Sequence, residues 1–177
     1  MLKITLLIIV AALAALLLYA ATRPDSFRLE RSTSISAPPE KVFALISDLR
    51  LFNTWNPFAA MDPAQVISYE ATTVGVGVGA AYSWKGDKSG AGRMEVVELM
   101  PAQRVTMKLD FSKPFEAHNR VDFSIQPQAN GCNVTWAMSG PMAYINKLMQ
   151  VLFSMDKMVG SEFEKGLANL KALAEKT

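Results

Sequence analysis

The chain has 177 residues, of which 50% are hydrophobic and 19% are charged, and this composition excludes an intrinsically disordered protein. Lys and Arg total 18 and Asp and Glu total 16; without Lys3 and Arg23 the two totals are equal, so residues 24–177 are neutral. A neutral domain offers no electrostatic attraction for nucleic acid. Cys132 is the only cysteine, and no His, Cys or Asp residues have metal-ligand spacing, so we expect no disulfide, no metal and no other cofactor.

The first predicted element is an apolar helix over residues 4–21, in which the only polar groups are Thr5 and the Tyr19 hydroxyl. About 18 helical residues span ~27 Å, close to the ~30 Å thickness of a bilayer core. The run exceeds a signal-peptide core and no A-x-A site follows it, so residues 1–23 are predicted to be a single-pass membrane anchor, with a cleaved signal peptide as the alternative. The flanking basic residues and the signal-like layout favour opposite sides of the membrane, so the side stays open, with a secreted or periplasmic domain if the segment is cleaved.

Residues 24–177 are predicted to form one domain, in which alternating apolar and polar residues indicate seven strands. The Asn130-Gly131 pair is a strong hairpin signal and the other connections are short, so consecutive strands are expected to form an antiparallel meander. A change of phase between Val96 and Val97 predicts a β-bulge. The predicted strands cover residues 27–36, 66–73, 80–85, 93–99, 105–111, 121–125 and 134–138.

Two short helices and a glycine-rich segment separate the first three strands. Pro39 opens a predicted helix that ends near Asp48, residues 49–55 are predicted to form a second helix, and a loop is expected over residues 58–64. Residues 74–79 alternate valine with glycine and so resemble a dinucleotide-binding fingerprint, but a strand-like pattern follows them where that motif needs a helix. They are therefore predicted to be a turn or a bulged strand edge.

The last predicted element is one long amphipathic helix that begins at Pro141 and continues to Thr177, with Gly160 and Gly166 as unfavourable interior residues. A curved antiparallel sheet of about seven strands wrapped on this helix is an α+β arrangement. The space between such a sheet and its helix can hold a ligand. The apolar stripe of the helix comprises Leu148, Leu152, Met155, Val159, Phe163, Leu167, Leu170 and Ala174.

Four segments with a characteristic order carry a family resemblance: ISAPPEKVF at 35–43, WNPF at 55–58, GAAYSWKG at 79–86 and MDKMVG at 155–160. In these segments the chain resembles the SRPBCC superfamily of START and birch-pollen-allergen-like proteins, and within it the bacterial polyketide cyclase/dehydrase-like branch. The resemblance extends over nearly all of residues 27–175. It implies the helix-grip fold and a deep apolar cavity for a lipid, steroid or polyketide-like ligand, but no single reaction.

Large apolar residues on the sheet and on the last helix are the candidates for ligand binding. Several are methionines, which adapt to varied apolar shapes, although methionine more often simply fills a core. Binding of a hydrophobic small molecule is the favoured function, and a cyclase-, dehydratase- or hydrolase-type enzyme and a protein-interaction module are the alternatives. The ligand-binding candidates are Trp55, Trp84, Met107, Phe123, Trp136, Met138, Met155 and Val159.

The candidates for acid–base chemistry are Tyr82, Glu95, His118 and Asp156, because such chemistry needs a titratable group aimed into a dry pocket. Glu95 faces the cavity in one phase of the fourth strand and solvent in the other. His118 is the only histidine, and a solvated position near a strand end is favoured over a catalytic one. A surface charge near the helix end is similarly favoured for Asp156.

Overall fold

A computed structural model of the chain describes residues 2–70, 76–144, 147–148 and 155–176, and it confirms the predicted α+β helix-grip fold. An N-terminal helix precedes one antiparallel sheet, three short helices lie between the first two strands, and a long helix closes the chain. The elements are α1 (Leu2–Ala21), β1 (Ser26–Ile35), α2 (Pro39–Ser47), α3 (Leu49–Trp55), α4 (Pro57–Met61), β2 (Val66–Tyr69), β3 (Ala81–Gly86), β4 (Gly90–Met100), β5 (Arg104–Lys113), β6 (Ala117–Gln128), β7 (Gly131–Pro141) and α5 (Met155–Ala174).

The seven strands form a single sheet in the order β1-β7-β6-β5-β4-β3-β2. Strands β2 to β7 follow one another as the predicted meander, and β1 pairs with β7 along its whole length, from Ser26 opposite Pro141 to Ile35 opposite Cys132. The register of β4 shifts between Val96 and Glu98, which confirms the predicted bulge. β1, the first strand in the sequence, is an edge strand of the sheet and lies beside the last strand.

The glycine-rich segment is described from residue 76 onward, and residues 71–75 lie outside the described part. Val76 forms an isolated bridge with Asp48, and Gly77 and Gly79 have φ angles of 97° and 89°, a region that glycine adopts at no steric cost. The predicted turn is therefore present at residues 77–79. The second predicted strand is confirmed from Val66 to Tyr69.

Side-chain caps start the two helices that follow α2. The Asp48 carboxylate accepts the Arg50 N–H at 2.8 Å, and the Asn56 side-chain oxygen accepts the Phe58 N–H at 3.2 Å. The loop expected from residue 58 is wrong at its start, because α4 occupies Pro57–Met61. A helix of five residues is too short to show a periodic apolar pattern, so only its cap and its first-turn proline mark it in the sequence.

The predicted start of the last helix at Pro141 is also wrong. Pro141 is the final residue of β7, opposite Ser26, and α5 begins at Met155. A proline at a strand terminus costs little, since the ladder hydrogen bond that it cannot donate falls where the pairing ends. Leu148 is half-buried and Leu152 lies outside the described residues. Of the rest of the predicted stripe, Phe163, Leu167, Leu170 and Ala174 are buried, Val159 is half-buried, and the side chain of Met155 lies outside the described part.

An aromatic cluster occupies part of the space between α5, the sheet and the short helices. Trp136 of β7 stacks on Phe163 of α5, with ring centroids 4.1 Å apart and planes 9° from parallel. Phe52, Trp55 and Phe123 meet this pair edge-on or tilted, with ring centroids 5.0–6.4 Å from that of Trp136. Such edge-to-face pairs add to the stabilisation that burial itself supplies.

The two glycines of α5, unfavourable from sequence alone, let the helix approach its neighbours. The guanidinium of Arg31 crosses the helix at Gly160, where a Cβ would collide with it, and pairs with Asp156 at 3.0 Å and Glu164 at 2.7 Å. A Cβ on Gly166 would lie 2.6 Å from the Trp136 ring. The neighbour of Gly160 is thus the mobile end of a long side chain, whereas the neighbour of Gly166 is a packed ring.

We expect Gly166→Ala to destabilise the protein by about 1–3 kcal/mol, because the added methyl overpacks a site closed by Trp136 and Pro57. The matched change Gly160→Ala should alter the free energy of unfolding by less than about 1 kcal/mol. Alanine is more favourable than glycine in a helix by about 1 kcal/mol. The added methyl would disturb the ion pairs of Arg31, but these are exposed and contribute at most about 1 kcal/mol, so the two effects offset each other. Urea unfolding of the two variants measures the difference, and equal losses would contradict this account of the helix.

Candidate functional site

A cavity of about 250 Å³ lies between the concave face of the sheet and helices α3, α4 and α5. A cavity of about 150 Å³ lined by apolar side chains is already large enough to bind benzene. Strands β3 to β7 form one wall, and the lining is mostly apolar. The lining residues are Phe52, Asn53, Asn56, Phe58, Ala59, Met61, Gln65, Ile67, Tyr82, Trp84, Lys88, Ser89, Met94, Leu109, Phe111, Val121, Trp136, Met138, Val159 and Phe163.

The solvent-exposed part of the cavity lining, which we call the mouth, lies at the α4–β2 connection and the β3–β4 hairpin. Met61 and Lys88 line the cavity and are exposed, whereas Gln65 and Ser89 are half-buried. Asp62 joins the two segments, because its carboxylate accepts the backbone N–H groups of Lys88 at 2.9 Å and Ser89 at 3.2 Å. These hydrogen bonds hold the pKa of Asp62 below its ordinary value, so the carboxylate keeps the mouth in shape at neutral pH.

A small polar cluster interrupts the apolar lining. The Asn53 amide donates to the Tyr69 hydroxyl at 3.1 Å, and the Asn56 amide donates to the Asn53 carbonyl oxygen at 3.3 Å. Among the described residues, the acceptor of the Tyr82 hydroxyl is the Met94 sulfur, at 3.8 Å, which is a weak acceptor. A ligand oxygen beside Tyr82 would therefore gain a donor that the protein itself uses poorly.

Tyr82 keeps its proton at any physiological pH. Burial raises the pKa of its phenol well above the ordinary value, neighbouring Tyr69 raises it further, and the amides of Asn53 and Asn56 act in the opposite direction. Tyr82 can therefore donate a hydrogen bond to a bound molecule but cannot act as a base at neutral pH.

A second donor belongs to Trp136, whose ring lines the cavity. Its indole Nε1 is buried and has no hydrogen-bond partner among the described residues. An unsatisfied buried donor costs about 1–3 kcal/mol, so this N–H lowers the stability of the fold as it stands.

The structure divides the predicted ligand-binding residues into two groups. Trp84, Trp136, Met138 and Val159 line the cavity. The side chain of Met155 lies outside the described part of the chain. Trp55, Met107 and Phe123 are buried in the core instead of lining the cavity, because α2 and α3 pack directly on that part of the sheet.

Of the four acid–base candidates, only Tyr82 lines the cavity. On β4, Met94 and Val96 are buried, so Glu95 points to the outer face, where Arg93 pairs with it and with Glu70. Asp156 is exposed on α5 and pairs with Arg31. The structure does not bring Glu95, Asp156 and Tyr82 into one site.

His118 lies on the outer side of the sheet, where it is exposed. Its Nδ1 is 2.7 Å from Asp110 of β5, and its Nε2 is 3.4 Å from Glu116. The hydrogen bond to Asp110 raises the pKa of His118 above the ordinary value, and the charge of Glu116 acts in the same direction.

We expect the NMR titration of His118 to give a pKa above about 6.5, and Asp110→Asn to return it toward that value. Because the folded-state pKa is the higher one, the ion pair stabilises the fold fully below the unfolded pKa of about 6.5 and is lost as pH rises through the folded pKa. Binding of an apolar probe should not follow this titration, because His118 lies outside the cavity. A probe affinity that changed with the His118 pKa would contradict this placement.

Sequence reasoning missed several lining residues, above all Asn53, Asn56 and Phe58. Asn53 and Asn56 are three residues apart, a spacing that places two side chains on the same side of a helix. That pattern could have identified the polar cluster, but it does not show that α3 and α4 cover the cavity. Among the described residues, no group of three His, Cys, Asp or Glu side chains is arranged to hold a metal ion.

The fold and the cavity together define the class: a helix-grip protein with a mostly apolar internal site. The family model described as polyketide cyclase/dehydrase and lipid transport matches residues 26–175, and the chain belongs to this family. The SRPBCC resemblance predicted from the sequence is thereby confirmed. No curated protein matches the chain.

Solved structures share the fold at low sequence identity. A Chromobacterium violaceum protein is 18% identical with a TM-score of 0.60, over 88% of this chain and 100% of its own. The Aha1 protein of Colwellia psychrerythraea, solved as a dimer, is 17% identical with a TM-score of 0.59, over 84% and 96% of the two chains. The di-domain aromatase/cyclase StfQ of the steffimycin biosynthetic pathway is 10% identical with a TM-score of 0.60, over 85% of this chain and 51% of its own.

Proposed function

We propose that the protein binds a hydrophobic small molecule in the cavity and that α1 anchors the binding domain in a membrane. The cavity itself carries the first part of the proposal. Close-packed cores contain few voids larger than a water molecule. The space of about 250 Å³ is partly open to solvent, so its apolar lining contacts water. A bound apolar molecule would remove that lining from water, which is favourable by about 25 cal/mol per Å² of apolar surface covered.

The lining supports a ligand with a large apolar body and at least one hydrogen-bond acceptor. Tyr82 is a protonated donor whose acceptor among the described residues is a sulfur, and the amides of Asn53 and Asn56 lie beside it. Lipids, steroids and polyketide-like molecules that carry a carbonyl or hydroxyl group fit this description. The family description, which includes lipid transport, supports the same ligand class.

Binding fits the site better than acid–base catalysis does. No carboxylate or imidazole is among the described residues that line the cavity, and Tyr82 is held in its neutral form. StfQ is an aromatase/cyclase by name, but a likeness of 10% identity supports only the shared fold.

The proposed membrane anchor rests on the surface of α1. Residues Lys3–Ala21 have a mean hydropathy of 2.7, and only 6% of this stretch is buried against the rest of the protein. The helix is long and apolar enough to cross a membrane as an anchor or to act as a signal sequence. A retained apolar helix that the domain leaves uncovered is stable in lipid and unstable in water.

Native mass spectrometry of residues 24–177 tests ligand binding directly. The Chromobacterium violaceum protein matches over its entire length within 88% of this chain, which supports independent folding of the domain. We expect one bound mass per domain, released by organic extraction and containing oxygen. A folded domain that purifies empty and takes up no N-phenyl-1-naphthylamine, a neutral fluorescent probe, would overturn the proposal.

A further inference from the structure

The end of the sheet that carries the cavity mouth is also the end at which α1 joins the domain. β1 begins at Ser26, immediately after the tether formed by residues 22–25, and the antiparallel register places Pro141, the end of β7, directly opposite. Because neighbouring strands are antiparallel, every second connection lies at the same end of the sheet. The β5–β6 connection at 114–116 and the β3–β4 hairpin at 87–89 therefore lie at this end as well. The start of β2 lies opposite Lys85 and so falls there as well. We call this the anchor end.

The anchor end exposes large apolar side chains from three separate elements. Met61 of α4 is 54% exposed, Val66 of β2 is 64%, and Phe115 of the β5–β6 connection is 74%. Single exposed apolar residues are common on soluble proteins and need no explanation. Here they lie at the end of the sheet that holds the mouth, and Met61 itself lines the cavity.

Contacts hold α1 close to this end. The Tyr144 hydroxyl donates to the Leu17 carbonyl oxygen at 2.8 Å, which ties the last turns of α1 to the segment after β7. The Met142 N–H donates to the Asp25 carbonyl oxygen at 2.7 Å, and the Lys147 ammonium is 2.5 Å from the Asp25 carboxylate. The tether therefore lies against the domain.

Distances determine which end can reach the lipid. Four tether residues span at most about 14 Å, so the anchor end lies near the bilayer surface. The opposite end, where Val78 and Met100 are also exposed, lies one strand length away, which is about 33 Å for a ten-residue strand. Of the two ends, only the anchor end is within reach of the membrane that α1 would span.

We propose that the anchor end rests on the bilayer, so that the apolar ligand passes between the lipid phase and the cavity without crossing bulk water. This inference rests on the proposed membrane anchor and specifies the ligand as a molecule that partitions into bilayers. The charges at this end are mixed, so apolar insertion holds the contact and added salt should change it little. These charged residues are Arg23, Asp25, Asp62, Lys85, Asp87, Lys88, Lys113, Glu116 and Lys147.

Site-directed spin labels on the full chain in phosphatidylcholine nanodiscs test the contact. Labels at Met61→Cys and Phe115→Cys report on the anchor end, Met100→Cys is the matched control at the opposite end, and Val10→Cys reports on the span. Native Cys132 is buried, and the unsubstituted protein measures any labelling there. Accessibility to oxygen and to a water-soluble nickel chelate gives the depth of each label.

We expect the labels at positions 61 and 115 to be at least threefold less accessible to the nickel chelate than the label at position 100, with position 10 in the bilayer core. If position 10 is in the core but positions 61, 115 and 100 are equally accessible to the chelate, the anchor stands and the docking proposal is overturned. If position 10 is in water, the anchor fails and the docking proposal fails with it. Ligand binding by the separate domain is unaffected by either result.

Discussion

We expect Val121→Phe to lower the affinity of residues 24–177 for N-phenyl-1-naphthylamine by about 100-fold. Val121 lies on β6 between Met107 and Met138 of the neighbouring strands, is buried, and lines the cavity. A phenyl ring there would displace the equivalent of three or four ligand methylenes, at about 0.8 kcal/mol each, or about 3 kcal/mol in total. Each 1.4 kcal/mol corresponds to a factor of ten in the dissociation constant.

The matched control is Val97→Phe, the same change at the exposed bulge residue of β4. It should leave probe affinity unchanged. Because Val121→Phe fills existing space, it should change the free energy of unfolding by less than the 1–3 kcal/mol that overpacking a filled core costs. Fluorescence titration of both variants gives the affinities, and wild-type affinity in folded Val121→Phe would show that the probe binds elsewhere.

The largest expected loss of stability follows from Trp136→Ala, at about 3–5 kcal/mol, because it empties the centre of the aromatic cluster. Trp136 stacks on Phe163, lies 5.0 Å from Phe123 between ring centroids, and contacts Gly166 across the helix. That loss is a large fraction of the 5–15 kcal/mol by which domains are typically stable. Urea unfolding of residues 24–177 measures it.

Two further variants make this prediction specific. Trp136→Phe should cost clearly less than Trp136→Ala, because it keeps a stacked ring and removes the unpartnered indole N–H. Trp84→Ala should also cost less, since Trp84 is only half-buried near the cavity mouth. If Trp84→Ala proves as costly as Trp136→Ala, the core is not centred on the cluster described here.

The proposed docked orientation would suit the properties of the cavity. A cavity with a mostly apolar lining binds molecules that are poorly soluble in water, and the cost of bringing each methylene through water is about 0.8 kcal/mol. A mouth that rests on lipid avoids this cost. The mixed charges of the anchor end also make this contact different from the salt-sensitive binding of a basic surface to anionic lipid.

Sequence patterns predicted the strands well because each strand has one face in the core. Met107, Val121 and Phe123 alternate with polar residues, and this period of two does not depend on how the strands pack. The same local pattern could not choose the phase of Glu95, since the bulge at Val97 gives both faces of β4 apolar residues. Pairing with β3 and β5 decided it.

The helices show where local reasoning fails. Pro141 satisfies the rules for a first helical turn, yet it ends β7, because pairing with β1 extends the strand to Ser26. The two glycines of α5 are unfavourable in an isolated helix, but here Arg31 lies over Gly160 and the packed Trp136 ring leaves no room for a side chain at Gly166. Contacts between residues at least 30 positions apart in the sequence carry that information.

The amino-acid sequence by itself determined the class of the fold, the apolar N-terminal helix and the apolar character of the interior, because local periodicity and composition are enough to predict each of them. Only the tertiary structure decided which of those apolar residues line a cavity. Trp136 and Trp55 are alike in sequence terms, but the distance between sheet and helices leaves a space beside Trp136 and closes it over Trp55. That distance depends on the packing of every element together, and no local pattern encodes it.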